Sequence, residues 1–145
     1  MVKIYADTSL LFSLYVTDAN SPKADVWRQA NPVPLDFTGL HRLELRNAFG
    51  LTVFQQRLTP AESRAAWQEV EQDLASGLLV AKPDWWEKLL REAERLAGQH
   101  TPAIGSRSLD VLHVAAALVS EATDFCTLDT RQGKLAQLAG LHVQP

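Results

Sequence analysis

The stretch Ser106–Pro145, SRSLDVLHVAAALVSEATDFCTLDTRQGKLAQLAGLHVQP, decides the fold. From Leu109 to Val119 only Asp110 and His113 are polar, so this part reads as a buried helix with Ser106 as its N-cap. DFCTLD (124–129) then reads as a strand, TRQGKLAQLAG (130–140) as a short helix and LHVQP (141–145) as a terminal strand. Strands separated by helices pair in parallel, because a parallel pair needs a crossover connection. Asp110 is the anomaly in this pattern. An ionised carboxylate on an apolar helix costs several kcal/mol unless a partner charge, a pocket or a metal compensates it.

The rest of the chain repeats the alternation. KIYA (3–6) reads as a short buried strand and DTS (7–9) as a helix start. SPKADVWRQA (21–30) fits a helix with Ser21 as N-cap and Pro22 at its first position. VPLDFTG (33–39) is a second strand, and GLHRLELRNAFGLTVFQQ (39–56) has helical periodicity. TPAESRAAWQEVEQDLASG (59–77) is a helix opened by a Thr59–Glu62 capping box, and GLLVAK (77–82) is a strand. PDWWEKLLREAERLAGQ (83–99) is an amphipathic helix closed by Gly98, followed by the loop HTPAIG (100–105). No repeat, low-complexity segment or linker interrupts the pattern. The expectation is a single α/β domain over residues 1–145, with a parallel sheet covered on both faces.

Bulk properties narrow the function classes. The 145 residues are 46% apolar and 21% charged, a composition of ordered soluble proteins rather than disordered ones. A net charge of −3 excludes the simplest nucleic-acid binder, whose mark is a strong basic excess. It leaves room for an enzyme that touches a few phosphates through a local patch and a bound cation. The single Cys126 excludes a disulfide framework and a cysteine metal site. The N-terminus reads as a strand and helix start rather than a signal peptide, and no apolar run approaches the ~20 residues of a membrane span. A cytoplasmic location follows as the default.

Four acids occupy positions that chemistry uses. In an open parallel sheet, ligands sit beyond the carboxyl ends of the strands. Asp7 follows KIYA and Asp129 follows DFCTL, both at such ends. Asp110 lies near the N-terminus of its helix, where the dipole favours negative charge. Glu44 shares a helix face with Leu40, Ala48 and Leu51, whereas Arg42 and Arg46 project from the opposite side. Convergence of the four on a divalent cation explains them together, and hard oxygen donors suit Mg²⁺, with Mn²⁺ as a substitute. Without a cation, such carboxylates repel and some must bind protons. Each also has a plainer reading. Asp7 and Asp129 serve as N-caps, Asp110 as a first-turn acid and Glu44 as a satisfied polar residue. Thr8, Ser9 and Thr127 read as cap or strand residues.

YADTSLLFSLY, LHRLELRNAF, RSLDVLHVAAAL and FCTLDTRQGKLAQLAGL together resemble PIN-domain ribonucleases, above all the VapC-type toxins of bacterial toxin–antitoxin pairs. The resemblance runs through the whole chain in order, and RSLDVLHVAAA is its most specific piece. It implies a three-layer α/β/α sandwich around a mostly parallel sheet of about five strands. It implies a metal-dependent endoribonuclease that leaves 5′-phosphate and 3′-hydroxyl ends, with Asp7, Asp110 and Asp129 as principal ligands. Glu44 becomes a fourth ligand or a water-orienting base, and a hydroxyl of Thr8, Ser9 or Thr127 assists. The implied partners are an RNA substrate, a small antitoxin protein and a second copy in a homodimer. Arg131 and Lys134 are the cations nearest an acid in the chain and are candidates for RNA contact; solvated helix charge is their plainer reading.

Other features read as packing. His113 lies on the Asp110 face and is expected to be packed and hydrogen-bonded. His41, His100 and His142 show no metal spacing. Trp27 and Trp67 read as packing or dimer surface; of Trp85 and Trp86, one is expected in the core and one on a partner surface. Two other functions compete: a PIN nuclease of RNA processing without an antitoxin, and a non-catalytic module whose acidic cleft holds a basic peptide. A haloacid-dehalogenase-like phosphatase would need an acid where Ser9 stands, and a phosphate-cradling glycine loop is absent.

Overall fold

The computed structural model describes all 145 residues. Elements alternate as the sequence predicts: β1 (Ile4–Ala6), α1 (Thr8–Tyr15), α2 (Ser21–Ala30), β2 (Leu35–Phe37), α3 (Gly39–Phe54), α4 (Pro60–Ser76), β3 (Leu79–Ala81), α5 (Trp86–Ile104), α6 (Ser108–Val119), β4 (Asp124–Cys126), α7 (Thr130–Leu138) and β5 (His142–Gln144). All strand pairs are parallel, and the five strands hydrogen-bond as a three-stranded ladder β1-β4-β5 and a two-stranded ladder β2-β3. The chain groups into two compact units, residues 1–7 with 84–145, and residues 8–83.

The first unit holds the three-stranded ladder. β4 is its middle strand, so Asp124, Phe125 and Cys126 are all buried, as a strand flanked on both edges requires. Leu89, Ala93 and Leu96 recur at helical spacing and turn one stripe of α5 into the core. They meet Val111, Val114, Ala115 and Ala117 of α6 in one apolar cluster with Tyr5, Phe125 and Leu135. Alanines on α6 let the two helices approach closely. The second unit packs α1, α3 and α4 through Leu10, Leu11, Leu45, Phe49 and Val70, with Leu35 and Phe37 of β2 and Leu79 of β3. Tyr15 ties α1 to α4 by donating its hydroxyl to Asp73 at 2.5 Å. Burial first, and then that carboxylate, push the Tyr15 pKa well above its usual value.

Several boundaries differ from the sequence expectation. Gly98 does not close α5, which continues to Ile104 and ends at Gly105, in the left-handed region at φ 65°. The expected loop is therefore largely helical and carries Pro102 inside the last turn. Ser106 is not the N-cap of α6. Arg107 holds that position without a side-chain hydrogen bond, and the Ser106 hydroxyl is buried without a partner. Ser21 is likewise the first residue of α2 and not its cap, a place taken by Asn20. Its hydroxyl secures the preceding loop, accepting from the Asp18 N–H at 2.9 Å and donating to the Ser13 carbonyl at 2.8 Å. The α3 cap was invisible to spacing rules because its third residue is His41. Thr38 Oγ1 accepts from the His41 N–H at 3.3 Å, and His41 Nδ1 accepts from the Thr38 N–H at 3.1 Å.

Candidate functional site

Three of the four acids belong to the first unit. β1 ends at Ala6, and the Asp7 N–H continues the ladder by donating to the Cys126 carbonyl at 2.9 Å. The Asp7 side chain is buried at 1% exposure. One step beyond β4, Thr127 donates its hydroxyl to Asp7 Oδ2 at 2.5 Å and accepts from the Asp129 N–H at 2.9 Å. A single hydroxyl thus bridges the two strand ends that carry acids. Thr127 is more than an assisting hydroxyl: it brings Asp7 and the Asp129 main chain together.

Asp129 meets its plainer reading as well, since its Oδ1 caps α7 by accepting from the Gln132 N–H at 3.0 Å. Asp110 stands in the first turn of α6, half-buried. Burial and then the nearby Asp129 charge push its pKa up. A hydrogen bond from the Arg107 main chain and the charges of His113 and Arg107 oppose this without cancelling it. The question raised by this carboxylate has a partial answer. α6 is not buried all round, because Leu109 beside it is 49% exposed.

Glu44 belongs to the second unit, where its Oε1 accepts from Thr8 Oγ1 at 3.1 Å. Thr8 is the residue after Asp7 in the chain. Of the two hydroxyls after Asp7, Thr8 is the buried one and Ser9 is exposed. The expected face of α3 is displaced. His41, Leu45, Phe49 and Thr52 line its buried stripe, Glu44 and Ala48 lie at its margin, and Leu51 is half-exposed. Arg42 and Arg46 both stack on Trp67, with guanidinium carbons 5.2 and 4.5 Å from the ring. Arg131 and Lys134 are exposed on α7.

His113 is buried, and its Nδ1 pairs with the Tyr5 hydroxyl at 2.7 Å, so it is the packed, hydrogen-bonded residue expected. Cys126 is a buried thiol whose pKa is pushed up to about 12, by burial first and then by Asp124 and Asp7. Trp27 is packed, but Trp85 and Trp86 are both surface residues at 65% and 51% exposure, so neither enters the core.

Two polar residues escaped the sequence reading. Asp124, buried at the start of β4, is structural. Burial works to raise its pKa, but hydrogen bonds from Thr123 at 2.7 Å, His142 at 2.8 Å and Gln144 at 2.6 Å outweigh it and hold the carboxyl below its usual value. Gln132 is 4% exposed, and its Nε2 donates to the Asp110 carbonyl at 3.3 Å. A glutamine in the first turn of a charged helix carries no signal of burial.

All the donors gathered here are hard oxygens, and the unrelieved repulsion at Asp110 is of the kind a divalent cation removes. The donor chemistry therefore fits Mg²⁺ or Mn²⁺. The set is not a preformed cage, since no group of three or more His, Cys, Asp or Glu side chains is arranged to hold a metal.

Comparison with protein-family profiles finds no match, and comparison with curated proteins finds none either. Solved structures do match. FitAcB from Neisseria gonorrhoeae superposes with a TM-score of 0.70 at 17% identity, over 99% of this chain and 97% of that one. The sarcin-ricin loop cleaving toxin VapC20 of Mycobacterium tuberculosis also gives 0.70 at 17% identity, over 99% of this chain and 100% of the other. PAE2754 from Pyrobaculum aerophilum gives 0.61 at 20% identity, over 98% and 89%. No helix is long and apolar enough to cross a membrane. The chain has the PIN-domain fold, shared along nearly its whole length with the FitAcB and VapC20 structures.

Proposed function

We propose that this protein is a metal-dependent endoribonuclease, the toxin of a VapBC-type toxin–antitoxin pair. One observation supports the reading: at the carboxyl ends of β1 and β4, Thr127 donates to the Asp7 carboxylate and accepts from the Asp129 N–H, so one hydroxyl links two of the acids. Asp7, Asp110 and Asp129 are the residues that would hold Mg²⁺, with Glu44 as a fourth ligand or water-orienting base. The cation supplies charge neutralisation at the phosphodiester and lowers the pKa of water. Thr127 keeps the Asp7 carboxylate oriented through a charge-assisted hydrogen bond. The Asp129 side chain is held by the α7 main chain, its Oδ1 accepting from the Gln132 N–H. Arg131 and Lys134 are candidates to meet RNA phosphates from the exposed side of α7.

The partners proposed with this activity are RNA, a small antitoxin and a second copy of the chain, all in the cytoplasm. The rival reading is a non-catalytic module whose acids hold a basic peptide. Cleavage of total RNA by the antitoxin-free protein separates the two. With Mg²⁺ or Mn²⁺ the wild type cuts, EDTA abolishes cutting, and folded Asp7→Ala and Asp110→Ala variants do not cut. Cutting that persists in both variants refutes the site, and a protein that neither cuts RNA nor binds Mn²⁺ favours the peptide-binding module.

A further inference from the structure

Gln132 is buried beside the acids, yet the metal reading gives it no part. Its two hydrogen bonds end on two of those acids. Its main-chain N–H donates to Asp129 Oδ1 at 3.0 Å, and its side-chain Nε2 donates to the main-chain carbonyl of Asp110 at 3.3 Å. We propose that Gln132 is a positioning residue, a neutral clamp that ties the first turn of α6 to the first turn of α7 and so sets the separation of the Asp110 and Asp129 carboxylates. The proposal rests on the reading of those acids as the functional site.

Two observations support a clamp here. The N-cap residue of α6, Arg107, makes no side-chain capping hydrogen bond, so no cap side chain fixes the start of that helix. The base of the clamp is firmly seated. A Cβ added at Gly133 would lie 3.3 Å from Val143 Cγ1 and 3.4 Å from Thr127 Cγ2, so the first turn of α7 rests directly on β5 and on the residue that follows β4.

The side-chain type also fits. The carboxamide donates to a carbonyl that in an α-helix already accepts from the N–H four residues on, here Val114, and leaves that bond intact. Glutamate cannot donate when ionised and would add a third negative charge. Lysine or arginine would neutralise the acids permanently and compete with a cation. Asparagine is one methylene short of the same reach.

The test compares wild type with Gln132→Met, which keeps the volume and removes the donor, and with Gln132→Glu, which keeps the length. Amide hydrogen exchange is read in metal-free protein, and Mn²⁺ binding is read separately by electron paramagnetic resonance with the metal alone. Loss of one hydrogen bond is worth about a five-fold change. Exchange of the Val111 to Val114 amides is expected to quicken by about that factor in both variants, with Phe125 and Cys126 in β4 unchanged. Mn²⁺ affinity is expected to fall by a similar factor. Unchanged exchange at Val111 to Val114 overturns the clamp, as does acceleration that spreads equally to β4, because a packing role would act in that way. If wild type takes up no Mn²⁺, the metal reading falls, and the exchange result alone decides the clamp.

Discussion

Replacing Thr127 by valine tests the bridge between the strand ends most directly. Valine matches threonine in shape and suits the extended backbone, so the change removes little but the hydroxyl. That hydroxyl donates to the buried Asp7 carboxylate at 2.5 Å and accepts from the Asp129 N–H at 2.9 Å. A hydrogen bond to a charged group contributes about 1.5–3 kcal/mol, and leaving a main-chain donor unpaired costs a further ~1–3 kcal/mol if water does not reach it. Some relaxation offsets these, and about 3 kcal/mol of lost stability is the expected result. At roughly 3 °C per kcal/mol for a chain of this size, the melting temperature should fall by about 10 °C. Thr127→Ser keeps the hydroxyl and loses only a methyl group, for about 1 kcal/mol. Thermal melts and urea titrations in metal-free buffer, with unchanged m values, measure both. A valine variant as stable as the serine variant would refute the bridge, and with it the reason for placing Asp7 and Asp129 in one site.

Tyr5→Phe strips the partner from the buried His113 Nδ1 and should cost about 1–3 kcal/mol in the same melts, while leaving the far-UV spectrum intact. Asp110→Asn removes a carboxyl whose pKa is raised in the folded state. Such a group holds its proton more tightly when folded, so its contribution is fully present below the usual carboxylate pKa and is lost as pH rises through the raised value. In metal-free buffer the asparagine variant should therefore melt above wild type at neutral pH, and the gap should close as pH falls below the usual carboxylate range. Saturating Mn²⁺ should raise the wild-type melting temperature and leave that of Asp110→Asn nearly unmoved, in a thermal shift assay. Glu44→Gln keeps an acceptor for Thr8 Oγ1, so its melt should stay within about 0.5 kcal/mol of wild type while RNA cleavage drops at least ten-fold. A variant that cuts as fast as wild type would remove Glu44 from the site.

Periodicity and capping made most of the fold legible. The succession of five strands along the chain and the Thr59–Glu62 box could be read because each depends on neighbours a few residues apart, and the helices between the strands implied parallel pairing. The errors fall where distant packing overrides a local signal. Gly98 looks like a helix end, yet the stripe of Leu89, Ala93 and Leu96 keeps α5 in the core and the left-handed turn comes only at Gly105. Ser106 and Ser21 look like caps, but the backbone enters each helix one position away. Trp85 and Trp86 are apolar by type and exposed in fact. An aromatic side chain does not record which face of the helix meets the core.

By itself, then, the sequence determined the alternation of strands and helices and the presence of acids after β1 and β4, because strand ends and helix starts are local events. Tertiary structure alone decided how those acids are held. The Thr127 bridge to Asp7 spans 120 positions and the Gln132 bond to Asp110 spans 22, distances over which no spacing rule operates. Only the parallel pairing of β1 with β4, and the seating of α7 against Thr127 and β5, turns those separations into hydrogen bonds.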